Sequence, residues 1–211
     1  MKWKIYNHPG FYDRYMKRMA GWIEVYRERE LVRVLDQCIN DNNIVLDIGC
    51  GTGANCILLG KRYQNARIVG IDINPDFLGY AERKISDAGI KNVKLIRQDI
   101  TGCTRESISK DRIDIAICIL GLSVITDWEK AIERIFAILD PGGNFIVFDL
   151  YIDTQTFMGK LSNFLTGLFF GAHHDRMILN RLRSSFIETD TIKIDVKPES
   201  GTALFIFRGR K

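Results

Sequence analysis

Short apolar runs alternate with stretches of helical period along the middle of this chain. The runs are IVLDI (44–48), RIVGID (67–72), VKLIR (93–97), IDIAICIL (113–120) and NFIVFDL (144–150). Each is nearly continuous in apolarity, which predicts parallel strands covered on both faces. Segments 53–64, 75–88 and 127–139 separate them and read as helices. Asn74 is placed to cap the second, with Pro75 at its first position. Thr126 or Asp127 caps the third, and the turn Asp140–Pro141–Gly142–Gly143 stops it. Upstream, Met19, Ile23, Tyr26, Leu31, Val34 and Leu35 recur at roughly helical spacing, so residues 10–40 read as one or two helices. Strand alternating with helix predicts an α/β fold with a parallel sheet.

After residue 150 the rhythm changes. Residues 154–170 are apolar and aromatic, and 174–185 read as a second helix. Two β runs follow, IETDTIKIDV (187–196) and TALFIFRG (202–209). Lys197–Pro198–Glu199–Ser200–Gly201 joins them, and five turn-type residues predict a hairpin with an antiparallel last strand.

Composition narrows the class only modestly. A chain of 211 residues is one domain by default and long enough for a sizeable core. Within it, 1–40 reads as an N-terminal helical cap, 41–151 as a cofactor-binding core, 152–185 as a helical acceptor-side insertion and 186–211 as the terminal hairpin. The net charge of +4 is too small for a dedicated nucleic-acid binder, but leaves room for an acidic substrate or an anionic membrane surface. The five cysteines match neither a zinc site nor a redox pair, so no metal is expected, and reduced thiols point to a cytoplasmic protein. The N-terminus lacks the apolar core of a signal peptide, and no apolar stretch reaches about 18 residues.

The chemistry gathers around VLDIGCGTGAN (45–55). Gly49, Gly51 and Gly53, with Cys50 among them, make a loop that lets backbone amides approach a ligand. With Ala54, the loop also satisfies the dinucleotide fingerprint, and Asp72 lies where a ribose carboxylate belongs, so NAD, FAD and S-adenosylmethionine (SAM) all fit these residues. Two more acids shift the balance. Asp47 is awkward beside a pyrophosphate but useful beside the ammonium and sulfonium of SAM, and Asp99 ends the third strand, where it can accept from an adenine amine.

VLDIGCGTG, GIDIN, RQDI and the run from Asp114 to Gly143 together resemble the class I SAM-dependent methyltransferases, strongly over residues 40–151. The resemblance implies a Rossmann-like, doubly wound α/β sheet of seven strands, mostly parallel with an antiparallel last strand. It implies SAM as cofactor, with Asp47, Gly49, Cys50, Gly51 and Gly53 around the methionine part. Asp72 would hold the ribose, Asp99 the adenine amine, Ile73 and Ile100 the adenine ring, and Leu120–Gly121–Leu122 the methionine end. The opening FYDRY resembles the branch acting on small molecules, lipids and quinones, in which a tyrosine closes over the methionine end. Tyr12 and Tyr15 are the candidates here, and packing of the first helix is the alternative. GLSVITDW resembles some phospholipid and betaine-lipid N-methyltransferases, which favours a lipid amine headgroup over a prenylated quinone.

The acceptor side is less legible. Phe157, Leu161, Phe164, Leu165, Leu168, Phe169 and Phe170 make a greasy helix with Lys160 as its one charge. It reads as a core helix, an acceptor lid or membrane-facing element over 154–172, or a dimer patch. His173 is a candidate base, with a polar helix exit as the alternative; Asp127 is a cap or a base. Asp149 and Tyr151 fall on the active-site edge, and Arg176, Arg181 and Arg183 are placed to meet a phosphate or to be solvated. An [DNS]PP[YF] motif and a Pro-Cys nucleophile are both absent, which argues against nucleic-acid base methylation. A non-catalytic SAM-binding partner or sensor and an NAD-dependent oxidoreductase remain as the other classes. Residues 151–211 are short for the second catalytic region that an oxidoreductase needs.

Overall fold

Strand β1 (Ile44–Ile48) is buried at every position, and so is β4 (Ile115–Ile119) beside it. Such strands need cover on both faces, and helices supply it. The computed structural model describes residues 8–19, 21–174, 177–197 and 202–211. With β2 (Arg67–Asp72), β3 (Val93–Arg97), β5 (Asn144–Ile152), β6 (Ile187–Lys197) and β7 (Thr202–Arg210), they build one seven-stranded sheet of order β3-β2-β1-β4-β5-β7-β6. Five strands run parallel, and β7 lies antiparallel between β5 and β6. This is the Rossmann-like sheet expected from the sequence. The linker 198–201 of the hairpin lies outside the described residues, as does Arg176.

The alternation of side chains along β1 divides the core. Leu46 and Ile48 face α7 (Trp128–Ile138) and α9 (Ile178–Ser185). Val45 faces the other layer, with Cys56 and Leu59 of α4 (Ala54–Arg62) and Leu31, Val34 and Leu35 from the N-terminal helices. Helix α5 (Pro75–Asp87) begins as the sequence predicts: Asn74 Oδ1 accepts from the amides of Asp76 (3.0 Å) and Phe77 (3.4 Å), with Pro75 at the first position.

Several elements differ from expectation. The N-terminal region forms α1 (Pro9–Met19), then α2 (Gly21–Tyr26), a π turn (Arg27–Leu31) and α3 (Val32–Asp36) in succession. A 3₁₀ turn (Ile100–Gly102) and a short α6 (Arg105–Ile108) fall where the apolar pattern marks nothing; side-chain caps from Asp99 and Thr104 nucleate them. Asp127 occupies the cap position of α7, but its side chain makes no capping bond and its ψ is 56°, so the cap reading is corrected.

Helix α8 (Phe157–Phe170) is capped by Thr156, whose hydroxyl accepts from Gly159 N at 3.0 Å, and ends at Gly171 in the left-handed region. The core-helix alternative for it is overturned, because Phe157, Met158, Leu161, Phe164, Leu165 and Leu168 are all exposed. No helix among the described residues is long and apolar enough to cross a membrane.

Candidate functional site

The strand order reverses between β1 and β4, and loops leaving the two strands diverge there. A cleft of about 1200 Å³ opens at the carboxyl ends of β1 to β4. Its floor is the glycine loop. Gly49, Gly51 and Gly53 all have positive φ, and a Cβ on Gly53 would stand 2.8 Å from Cβ of Ala81. Only glycine lets the loop turn so and lets α4 start this close to α5. Cys50 N donates to Ile71 O at 3.0 Å and Gly51 N to Asp72 Oδ2 at 2.9 Å, so the end of β2 holds the loop in shape.

The three acids occupy three different environments. Asp72 is half-buried in the cleft wall; its second oxygen accepts from Asn74 N at 2.8 Å, and burial raises its carboxyl above the usual range. Asp99 is exposed at the rim, where Oδ1 takes both the amide and the hydroxyl of Thr101 at 2.9 Å. Asp47 is fully buried behind the loop, on the α4 side of β1, rather than in the wall itself. Cys56 Sγ donates to its Oδ2 at 3.3 Å, while Oδ1 has no hydrogen-bond partner among the described residues. Burial pushes this carboxyl up to about 7, against the smaller opposing effects of Cys56 and the Arg27 charge.

Arg27 was not singled out by sequence. It sits at the start of the π turn and lines the cleft, with Nη2 to Glu24 at 2.7 Å and Nη1 to Asn55 at 3.3 Å. Its Nε is buried without a partner among the described residues. Arg27 thus borders the cleft with one guanidinium nitrogen unsatisfied among the described residues, while Asp47 lies buried behind the glycine loop, near enough for the Arg27 charge to lower its carboxyl.

Of the remaining candidates, Ile73, Ile100 and Leu120 line the cleft. Leu120 holds φ at 56°, a conformation that costs a non-glycine residue about 1–2 kcal/mol. Gly53 shapes the loop from behind the wall. Tyr12 lines the cleft with its ring centroid 5.1 Å from that of Phe77, and burial pushes its phenol up to about 12. It is therefore a protonated donor near neutral pH. Tyr15 lies outside the wall. Helix α1 is latched to the floor through Asp13, which accepts from the Thr52 hydroxyl and from Lys84 Nζ at 2.6 Å. Asp127 and His173 both reach the opposite end of the cleft. Beneath them Asp149 is fully buried rather than on the edge, accepting from Ser123 N (3.0 Å), Ser123 Oγ (2.9 Å) and Leu150 N (2.8 Å). His173 N donates to Ser123 O at 2.9 Å, which fixes the exit of α8 against this buried cluster. Arg181 pairs with Glu133 at 2.6 Å, and Arg183 is exposed.

Known proteins share this architecture. The chain is 31% identical over 113 residues to a sterol 4-C-methyltransferase of Caenorhabditis elegans, a match covering 53% of this chain and 32% of that protein. It is 30% identical over 105 residues to a demethylmenaquinone methyltransferase of Thermus thermophilus, covering 50% of this chain and 46% of that one. The chain thus spans about a third to just under half of these relatives' length. The fold superposes on a phosphoethanolamine N-methyltransferase of Haemonchus contortus, solved with SAM, at a TM-score of 0.69 and 13% identity over 94% of this chain and 59% of that one. A methyltransferase-domain family model matches residues 39–174, more than half of the chain, and covers the glycine loop, the three acids and the exit of α8. This chain belongs to that methyltransferase-domain family.

Proposed function

We propose that the chain transfers a methyl group from SAM to a small-molecule acceptor, of the class of a lipid amine headgroup or a prenylated quinone. The observation that carries this is the glycine floor braced by Asp72, with Arg27 on the cleft wall and the Asp47 carboxyl buried behind the floor. Arg27 and the loop amides would hold the methionine carboxylate, and Asp47 would favour its ammonium through its charge from behind the loop. Asp72 would take the ribose hydroxyls, Asp99 the adenine amine, and Ile73 and Ile100 the ring faces. When bound, the cofactor supplies a methyl group on a positive sulfur, already activated for in-line attack. The chain's own part is then orientation and exclusion of water. Tyr12 and the latched α1 border the floor, and Leu120 lines the cleft beside them. Asp127 and His173 stand there as the groups able to take a proton from an acceptor.

This acceptor class is supported by the relatives' names, sterol and menaquinone precursors, and by the exposed α8 leading into the cleft through Gly171 and His173. The test is mass spectrometry of a lipid and metabolite extract incubated with the protein and deuteromethyl SAM. A labelled lipid or quinone is expected. Binding of SAM with nothing labelled would instead mark a non-catalytic SAM-binding protein.

Asp47 makes a proton signature. Its carboxyl is raised to about 7, so it is largely protonated in the free protein under mildly acid conditions. An arriving ammonium favours the ionised form, so SAM binding at about pH 6 should release up to about one proton. Calorimetry in buffers of different protonation enthalpy reads this directly, and Asp47→Asn should abolish it. Binding heats independent of buffer would sink the Asp47 assignment. In the unliganded protein the same shift has the opposite use. Its stabilising contribution is complete below about pH 4 and is lost as pH rises through about 7.

A further inference from the structure

Helix α8 is built inside out. Phe157, Leu161, Phe164, Leu165 and Leu168 recur at helical spacing and form a single stripe, with Met158 beside it. In a surface helix such a stripe faces the core. Here it faces outward, with Phe157 78%, Phe164 65% and Leu168 50% exposed. The contacts that hold it to the protein are made by small and polar residues. A Cβ on Gly159 would collide with the Asp153 carbonyl, Asn163 Oδ1 accepts from His174 N at 2.9 Å, and Gly167 lies against the Ala172 carbonyl. The inner face is therefore fitted to this position, and the helix cannot roll over to bury its apolar side without breaking those contacts.

We infer that α8 docks in the plane of a lipid bilayer that carries anionic headgroups. Three observations select this occupant. The helix has 14 residues, so it is roughly 21 Å long and too short to span a hydrocarbon core of about 30 Å. Its outer face, about 21 Å by roughly 10 Å, offers on the order of 200 Å², against about 800 Å² per partner in a stable protein pair. A second copy is thus poorly held by this face, whereas a bilayer takes up an isolated apolar stripe. The charges also fit: no Asp or Glu occurs between Asp153 and Asp175, Lys160 is exposed on the helix itself, and the chain carries a net +4. Because Gly171 and His173 continue from α8 into the cleft wall, docking sets the mouth of the cleft against the headgroups. An acceptor can then enter from the lipid phase. That last step rests on the proposed methyltransferase activity; the docking does not.

Vesicle flotation tests it, with phosphatidylcholine alone and with about one-third phosphatidylglycerol added. The wild type should float with the anionic vesicles and more weakly with the neutral ones. A Phe164→Asp, Leu168→Asp double variant changes only exposed positions and should lose binding by at least about tenfold. Hydrogen exchange on the wild type should show vesicle protection within 157–168, which needs no variant to fold. Failure to float with either vesicle, wild-type flotation of the variant, or protection confined to other segments would overturn the docking. So would a dimer in solution that the double variant converts to a monomer. SAM affinity measured without vesicles on the same preparations separates the two ideas. Protein that floats but binds no SAM overturns the enzymatic assignment alone, and protein that binds SAM but never floats overturns the docking alone.

Discussion

Replacing Asp72 with alanine should weaken SAM binding by about a hundredfold, equivalent to about 2.7 kcal/mol. Two losses combine in that figure. The carboxylate accepts from Gly51 N at 2.9 Å and from Asn74 N at 2.8 Å, so it braces the glycine loop before any ligand arrives. It is also the half-buried acid facing the place where ribose hydroxyls would lie, and a hydrogen bond to a charged acceptor contributes about 1.5–3 kcal/mol. Alanine removes the acceptor and leaves the Gly51 amide without its partner. Asp72→Asn keeps one acceptor oxygen but turns an amino group toward one of the two backbone N–H donors, so a loss of about tenfold is expected for it. Titration calorimetry measures both. Affinity within about threefold of wild type for Asp72→Ala would show that the ribose is held elsewhere and that the loop keeps its shape unaided.

The second large effect is on the fold. Gly70→Val should destabilise the protein by about 3 kcal/mol. Gly70 sits in the middle of β2, opposite Asp47 on one side and Leu95 on the other. A Cβ there would stand 2.7 Å from Cys56 Sγ, 2.8 Å from Leu95 Cδ2 and 3.0 Å from Cys50 Sγ. Space, rather than an unusual backbone angle, demands the glycine. Valine adds two further carbons to a place that cannot hold one, and Cys56 can yield only by leaving the Asp47 carboxylate. At about 2–4 °C per kcal/mol for a chain of this size, the melting temperature should fall by roughly 6–12 °C. A melting curve like that of the wild type would mean that Cys56 and Leu95 rotate aside at little cost.

Much of the fold was legible because each buried strand announces itself as a β-branched run and each helix as a period. The glycine floor and the position of Asp72 followed from local chemistry alone. Asp47 was legible as an acid in the right loop, but its seat behind the floor was not. Alternation along β1 turns Leu46 and Ile48 one way and Asp47 the other, toward Cys56, and spacing alone does not tell which face carries the ligand. Arg27 was hidden in a run of charges, REREL, that resembles any solvated helix face. The π turn that begins at Arg27 shifts the helical register there, and periodicity assumes no such shift. Asp127 shows the converse error: a residue type suited to capping takes the cap position without making the bond. For α8 the stripe was plain, but a stripe does not say which side the rest of the molecule occupies. That was decided by Gly159, Asn163 and Gly167, which share one face at i, i+4 and i+8 but are not apolar and so escape a reading of hydrophobic period.

The sheet order has a consequence for how the molecule is made. Strand β6 is translated before β7, yet β7 is its one neighbour in the sheet, and β7 is also what covers the edge of β5. While residues 202–210 are still being synthesised, β5 presents a bare edge and β6 has nothing to pair with. Until β7 is made the sheet is unfinished, and an open edge invites pairing with other chains. Closure comes when β7 inserts between two strands that precede it. Slow translation or truncation within β7 should therefore favour aggregation of a chain whose cofactor floor is already complete.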